Sequence, residues 1–219
     1  MNDNSYSGQA PFPGRGRLPA KQERSRKTHD ALVRAARRLM ATRTFDSLSV
    51  ADIAASAECS VGVFYQRFKD KDGLFRELIA AMIAETREGL LTLYRDHHGD
   101  RVIAELVKYA VANFRKNAGL LRAAIQKGMD DERFWQPIRE YGHFAASLFV
   151  ERLEQSQGRL SASRKIRIRF AFQMLYGMLI NSLIHSPGPL KLNDDAFVIE
   201  LTRAFRILLE DGHGPRRGP

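Results

Sequence analysis

The chain has a single cysteine, Cys59, among its 219 residues. One thiol can neither close a disulfide within a chain nor build a cysteine metal site, so the sequence suits the reducing cytoplasm. Long apolar runs are also missing. The longest, Phe170 to Ile184, is interrupted by Gln173 and Asn181 and falls short of the roughly 20 residues that cross a bilayer. The N-terminal stretch has no apolar core of the kind a secretory signal needs. Strand-like alternation is absent over any useful length and no internal repeat is found, which excludes β architectures and repeat arrays. Catalytic signatures are missing as well: no nucleophile elbow, no phosphate-binding glycine loop and no spaced carboxylate pair. The histidines, His29, His97, His98, His143, His185 and His213, are scattered, and no pair shares a helix face at metal-ligand spacing. Asp130-Asp131-Glu132 reads as a helix start rather than a catalytic cluster. The expectation is a protein that is not an enzyme and carries no metal or cofactor.

What is abundant is positive charge. Lys and Arg number 35 against 25 Asp and Glu, for a formal net charge of +10. A basic excess of this size suits a polyanion, nucleic acid first and an anionic membrane surface second. Residues 1–22 are rich in Gly, Pro, Ser and Asn and read as a disordered tail whose end is basic, with Arg15, Arg17 and Lys21. Such a tail is either a solvated linker or an arm that lies along a DNA backbone.

The most informative stretch runs from Ser49 to Phe75. Ser49 is a good N-cap, and Asp52 three residues on completes a capping box. Leu48 and Ile53 stand at hydrophobic-staple positions, and Val50, Ile53, Ala54 and Ala57 mark one narrow apolar face. Glu58 and Cys59 break the pattern, and Ser60 caps a second short helix. Val63, Phe64 and Phe68 can pack back, which leaves Val61, Gly62, Tyr65 and Gln66 outward. Asp70 caps a third helix through Leu74, Phe75, Leu78 and Ile79. Two short helices joined by a tight turn form a helix-turn-helix, whose second helix lies in the major groove. In this reading Ser49, Ser60, Tyr65, Arg67 and Lys71 hold phosphates. Val61, Gly62, Val63 and Gln66 meet base edges: the valines suit a thymine methyl, and Gln66 a purine.

The run resembles the DNA-binding domain of the tetracycline-repressor (TetR) family of bacterial transcription regulators. The residues that carry the likeness are Ser49, Asp52-Ile53-Ala54, Ala57, Ser60, Gly62, Phe64-Tyr65, Phe68, Lys71 and Leu74-Phe75. A helix from about Arg24 to Thr42 supplies the family's first helix, with Leu32, Ala36, Leu39 and Met40 on its core face. The family often has Gly where Glu58 stands and an aliphatic residue where Cys59 stands. The resemblance implies an all-α, cytoplasmic, homodimeric regulator, most often a repressor released from a palindromic DNA operator by a small-molecule effector. An effector-independent activator or architectural DNA binder is the alternative, and a membrane-surface protein a more distant one.

The expected organisation is a tail at 1–22, a DNA-binding domain at 23–72, a helical effector-binding and dimerisation domain at 73–211, and a flexible end at 212–219. The third helix continues to about Tyr94, where His97-His98-Gly99-Asp100 breaks it, and four or five more helices follow. One of these runs from Arg133 to Gln157, one is capped by Ser161, and the last is capped by Asn193 or Asp194. In the resembled family the C-terminal helices often enclose the effector. Phe114, Trp135, Tyr141, His143, Phe144, Phe172, Tyr176 and Asn181 offer aromatic surface with a few polar handles for it. The segment from Ile166 to Ile184 is apolar nearly all round and needs covering on most sides. With the stripe of the last helix it is expected to pair with a second copy, through Leu175, Leu179, Leu183, Leu201, Phe205 and Leu208. In the family, those two helices form the dimer's four-helix bundle.

Overall fold

The computed structural model describes residues 20–99 and 101–210. Among them are nine α-helices, one 3-10 turn and no strand, so the chain is all-α as expected. The expected tail and C-terminal end lie outside the described residues, except that residues 20–22 open the first helix. Helix α1 spans Ala20–Leu39, starting and ending earlier than the apolar spacing suggests. Helices α2 (Val50–Ser56) and α3 (Val61–Arg67) follow, then α4 (Lys71–Asp96). Helices α5 (Arg101–Lys116), α6 (Ala118–Asp130), α7 (Gln136–Gln157), α8 (Ala162–Ile184) and α9 (Asp195–Leu209) complete the order.

The helix boundaries follow local chemistry. Ser49, Ser60, Asp70 and Ser161 each accept a hydrogen bond from a backbone N–H in the first turn of the helix they cap. Gly158, at φ +80°, ends α7. Two expectations shift. The long helix expected from Arg133 starts at Gln136, because Asp131 accepts from the Arg133 N–H and folds Glu132–Phe134 into the 3-10 turn. Asp194 holds the N-cap position of α9, but its carboxylate accepts from the Lys191 N–H instead of from the helix.

The head, α1 to α3 with the start of α4, packs around Leu32, Phe45, Leu48, Ile53, Phe64, Leu74, Phe75 and Leu78, all at most 2% exposed. At about 1.5–3 kcal/mol for each large buried apolar side chain, this cluster is what holds helices as short as α2 and α3 in place. Helix α4 continues out of the head, and Leu90, Leu93 and Tyr94 enter the core of the C-terminal helices. No helix among the described residues is long and apolar enough to cross a membrane.

Helix α8 corrects the expected pairing surface. Leu175, Leu179 and Leu183 are at most 3% exposed and Phe205 2%, because they face α7, α5 and each other within one chain. Phe205 stands edge-on to Phe172 with ring centroids 5.3 Å apart. Leu201 is buried too, and Leu208 is half-buried against the same core. Leu175, Leu179, Leu183, Leu201 and Phe205 are therefore core of the single chain and offer a second copy little surface, and Leu208 offers part of its own. The large apolar residues left outside are Ile166, Phe170, Met174, Met178 and Ile184 on α8 and Ile199 and Ile207 on α9, each at least 40% exposed. Helix α8 is apolar on nearly every side, so spacing alone does not say which arc faces inward.

Candidate functional site: a helix-turn-helix head and an aromatic cavity

The turn between α2 and α3 has a specific hydrogen-bond pattern. The Cys59 N–H donates to the Ala54 carbonyl (3.0 Å) and the Glu58 N–H to the Ala55 carbonyl (3.1 Å). That pair of bonds is a Schellman motif, which requires a left-handed residue at the position of Glu58. Glu58 has φ +56°. The departure noted in the sequence, Glu where Gly is usual, therefore falls on the one residue of the turn whose backbone favours glycine. Cys59 is half-buried against the core beside it.

The capping box at the start of α2 is complete. The Asp52 N–H donates to Ser49 Oγ and the Ser49 N–H to Asp52 Oδ2, both at 3.0 Å. The backbone and hydroxyl donors of Ser49, with Arg43 at 3.1 Å, hold the Asp52 carboxyl below its usual range. On α3 the Val63 N–H donates to Ser60 Oγ at 3.3 Å. Both cap serines accept through oxygen; the Ser49 hydroxyl hydrogen serves the Asp52 carboxylate, and that of Ser60 has no partner within the turn.

Phe64 and Phe68 anchor α3 from below, at 0% and 4% exposure. Val61, Gly62, Tyr65 and Gln66 are exposed on the opposite arc, and Val63 is half-buried between the two. The Tyr65 ring stands edge-on to Phe64, 5.4 Å between centroids, which fixes its direction while leaving it 56% exposed. Arg67 is exposed and donates to Ser25 Oγ at 2.5 Å, drawing the basic first turns of α1 alongside α3. Lys71 has a duty the sequence did not reveal. Its ammonium donates to the carbonyls of Phe45, Asp46 and Leu48 at 3.0–3.2 Å and lies 5.1 Å from the Phe45 ring centroid. All three donors are engaged, so in this conformation Lys71 closes the loop before α2.

Two charged clusters tie the head to the C-terminal helices. Glu85 on α4 accepts from Arg37 on α1 (2.5 Å) and Lys116 on α5 (3.3 Å). Partial burial alone would raise the Glu85 carboxyl, but the two cations outweigh it and hold it below the usual range. Lys127 on α6 donates to Asp72 at 2.7 Å, lies 3.9 Å from Asp46, and sits among the rings of Phe45, Phe75 and Phe134.

A cavity of about 790 Å³ opens among α4 to α8. Six of the eight expected liners reach it: Phe114, Trp135, Tyr141, His143, Phe172 and Tyr176. The other two do not. Phe144 turns to α4, where the Arg87 guanidinium covers its ring at 4.0 Å, and Asn181 is exposed outside the cavity. Residues that sequence reasoning missed include Met82 and Thr86 of α4, Tyr109 and Asn113 of α5, and Arg139 and Arg169. Nothing in their local spacing separated them from ordinary helix faces. Tyr109 donates to the Thr86 carbonyl at 2.9 Å, while Phe114 lies nearly parallel to Tyr176 at 6.3 Å. Burial pushes the Tyr141 and Tyr176 hydroxyls far above the ordinary phenol value, so both stay neutral. Among the described residues no group of three His, Cys, Asp or Glu side chains is placed to hold a metal ion.

Comparison with known proteins agrees with this geometry. Residues 32–78 match the family model of bacterial regulatory proteins, tetR family. No curated protein matches the chain. Among solved structures, a TetR-family transcriptional regulator from Mesorhizobium loti MAFF303099 superposes with a TM-score of 0.70 at 16% identity, over 85% of this chain and 96% of that one. GusR of Salmonella enterica gives 0.60 at 24% identity, over 83% and 95%. FadR of Thermus thermophilus, a TetR-family repressor in complex with lauroyl-CoA, gives 0.61 at 21%, over 87% and 97%. At these identities the likeness is one of fold.

Proposed function

We propose that this chain, a TetR-family DNA-binding transcription regulator by its matched head and its fold, is a homodimeric repressor released from a palindromic operator by a small-molecule effector. The observation that carries the reading is the outer arc of α3. Val61, Gly62, Tyr65 and Gln66 are exposed on a seven-residue helix whose other side is pinned by Phe64 and Phe68. A rigid short helix with a small residue near its start can bring its backbone close to base edges, as the second helix of a helix-turn-helix does. Ser60, Tyr65 and Arg67 flank that arc with hydrogen-bond donors for phosphates, and Gln66 is the residue suited to reading a purine. The regulator works in the cytoplasm, where its DNA lies.

Pairing uses the arc of α8 and α9 left apolar and exposed, Phe170, Met174, Met178, Ile199 and Ile207, rather than the leucines the sequence suggested. Two heads related by a two-fold axis then meet half-sites about 34 Å apart, or a multiple of that. The domain limits are best drawn within α4, whose first turns are head core and whose Met82, Ile83 and Thr86 reach the cavity. A ligand that prefers another tilt of α4 changes the spacing of the two heads, by no more than its differential affinity for the two states allows.

The test is footprinting on DNA beside the protein's own coding region, followed by binding of Gln66→Ala to operator variants. A protected palindrome whose base preference relaxes in the variant is expected. Absence of duplex binding at low salt, or an operator preference unchanged in Gln66→Ala, overturns the assignment.

A further inference from the structure

The cavity has an uneven chemistry. Its walls are apolar and largely aromatic, with Phe114, Trp135, Phe172 and Tyr176 around the interior. The charged side chains that line it are Arg139 and Arg169, with His143 beside them; no Asp or Glu is among the liners. All three are exposed, which puts them at the rim. Arg139 is engaged by Glu132. No carboxylate among the described residues pairs with Arg169. Among the liners, the buried Asn113 Nδ2 makes no close hydrogen bond, its polar neighbour being the Tyr109 hydroxyl, whose own hydrogen goes to the Thr86 carbonyl. A buried donor this weakly engaged gains from a ligand acceptor.

From this arrangement we infer that the site takes an amphipathic aromatic anion, with its ring system against the aromatic walls and its carboxylate, sulfonate or phosphate at Arg169. The volume lies in the range of cavities that hold drug-sized ligands. Flat rings gain from offset and edge-on contacts with the walls beyond simple burial. The rim selects by charge, because an anion meets the Arg169 guanidinium, while the carboxylate of Glu132 is neutralised by Arg139, and the planar fork of Arg fits carboxylate or phosphate oxygens in pairs. Asn113 adds a preference for a ligand that carries an acceptor within its ring system. The inference deepens the effector reading above and rests on it.

The chain's sole tryptophan, Trp135, lines the cavity and reports occupancy directly. Two probes share one aromatic body: 8-anilino-1-naphthalenesulfonate is anionic, and N-phenyl-1-naphthylamine is neutral. Their affinities for the full-length protein are measured by quenching of Trp135, with laurate as a competing anion that has no ring. The expected result is one sulfonate probe per chain, bound more tightly than the neutral probe and than laurate. Arg169→Ala should weaken the sulfonate about tenfold, the low end for a charge-assisted contact at a wet rim, leave the neutral probe unchanged, and be rescued by Arg169→Lys. Equal affinity for the two probes, equal loss of both in Arg169→Ala, or displacement by laurate at tenfold lower concentration would overturn the inference. Release of the protein from duplex DNA is assayed separately. Charge-dependent binding that leaves the DNA complex intact supports the ligand class and overturns effector release instead.

Discussion

Replacing Glu58 with glycine should stabilise the protein. Glu58 sits at φ +56° at the left-handed position of the motif that ends α2. A side chain with a Cβ costs about 1–2 kcal/mol in that conformation. Glycine removes this cost but gives the unfolded chain more freedom, which takes back about 0.5–1 kcal/mol. The net gain is about 0.5–1 kcal/mol, or roughly 1–4 °C in Tm for a chain of this size. A second effect points the same way, since a carboxylate near a helix C-terminus opposes the helix dipole. Glu58→Ala separates the two. It removes the charge and keeps the Cβ, so it should gain only about 0.3 kcal/mol, and less at high salt. Urea unfolding followed by circular dichroism, at low and high salt, measures all three proteins. If Glu58→Gly is no more stable than Glu58→Ala, backbone conformation is not what strains this turn and the reasoning fails.

Other outcomes follow from contacts away from the turn. A Cβ on Gly119 would stand 2.9 Å from the Met40 carbonyl oxygen, backbone that has little room to retreat, so Gly119→Ala should push α6 from the turn that follows α1 and destabilise the protein by about 1–3 kcal/mol in urea unfolding. Lys71→Met keeps the stem but leaves the Asp46 and Leu48 carbonyls without a donor, while that of Phe45 keeps the Leu48 N–H, at about 1–3 kcal/mol of stability. Unchanged stability, with a DNA salt slope reduced by about one, would instead make Lys71 a phosphate ligand. The Glu85 carboxyl is lowered in the folded state by Arg37 and Lys116, so its contribution is fully present above the ordinary Glu value of about 4.3 and fades as pH falls through the lower folded value. Glu85→Gln should therefore be less stable than the parent at pH 7, with the gap narrowing below pH 4; a gap that widens in acid would refute the ion-pair assignment.

What the sequence determined by itself was local. Ser49, Ser60, Asp70 and Ser161 cap the helices they were expected to cap, because a cap joins atoms only two or three residues apart. The helix-turn-helix was legible for the same reason: its caps, apolar stripe and outward residues all lie within about 25 positions, and local preference and tertiary packing agree there. The tertiary structure decided which surfaces face what. Leu175 and Met174 are neighbours on one helix and equally apolar, yet one is core and the other exposed, because only the packing of α7 and α9 selects an arc of α8. The tasks of Lys71 and Lys127 depend on partners 23–26 and 55 residues away, and Arg169 gains its place at the cavity rim from helices far apart in sequence. A residue's periodicity records how much apolar surface it adds, not what covers it, so the short helix α3 could be read along the chain and the cavity only in three dimensions.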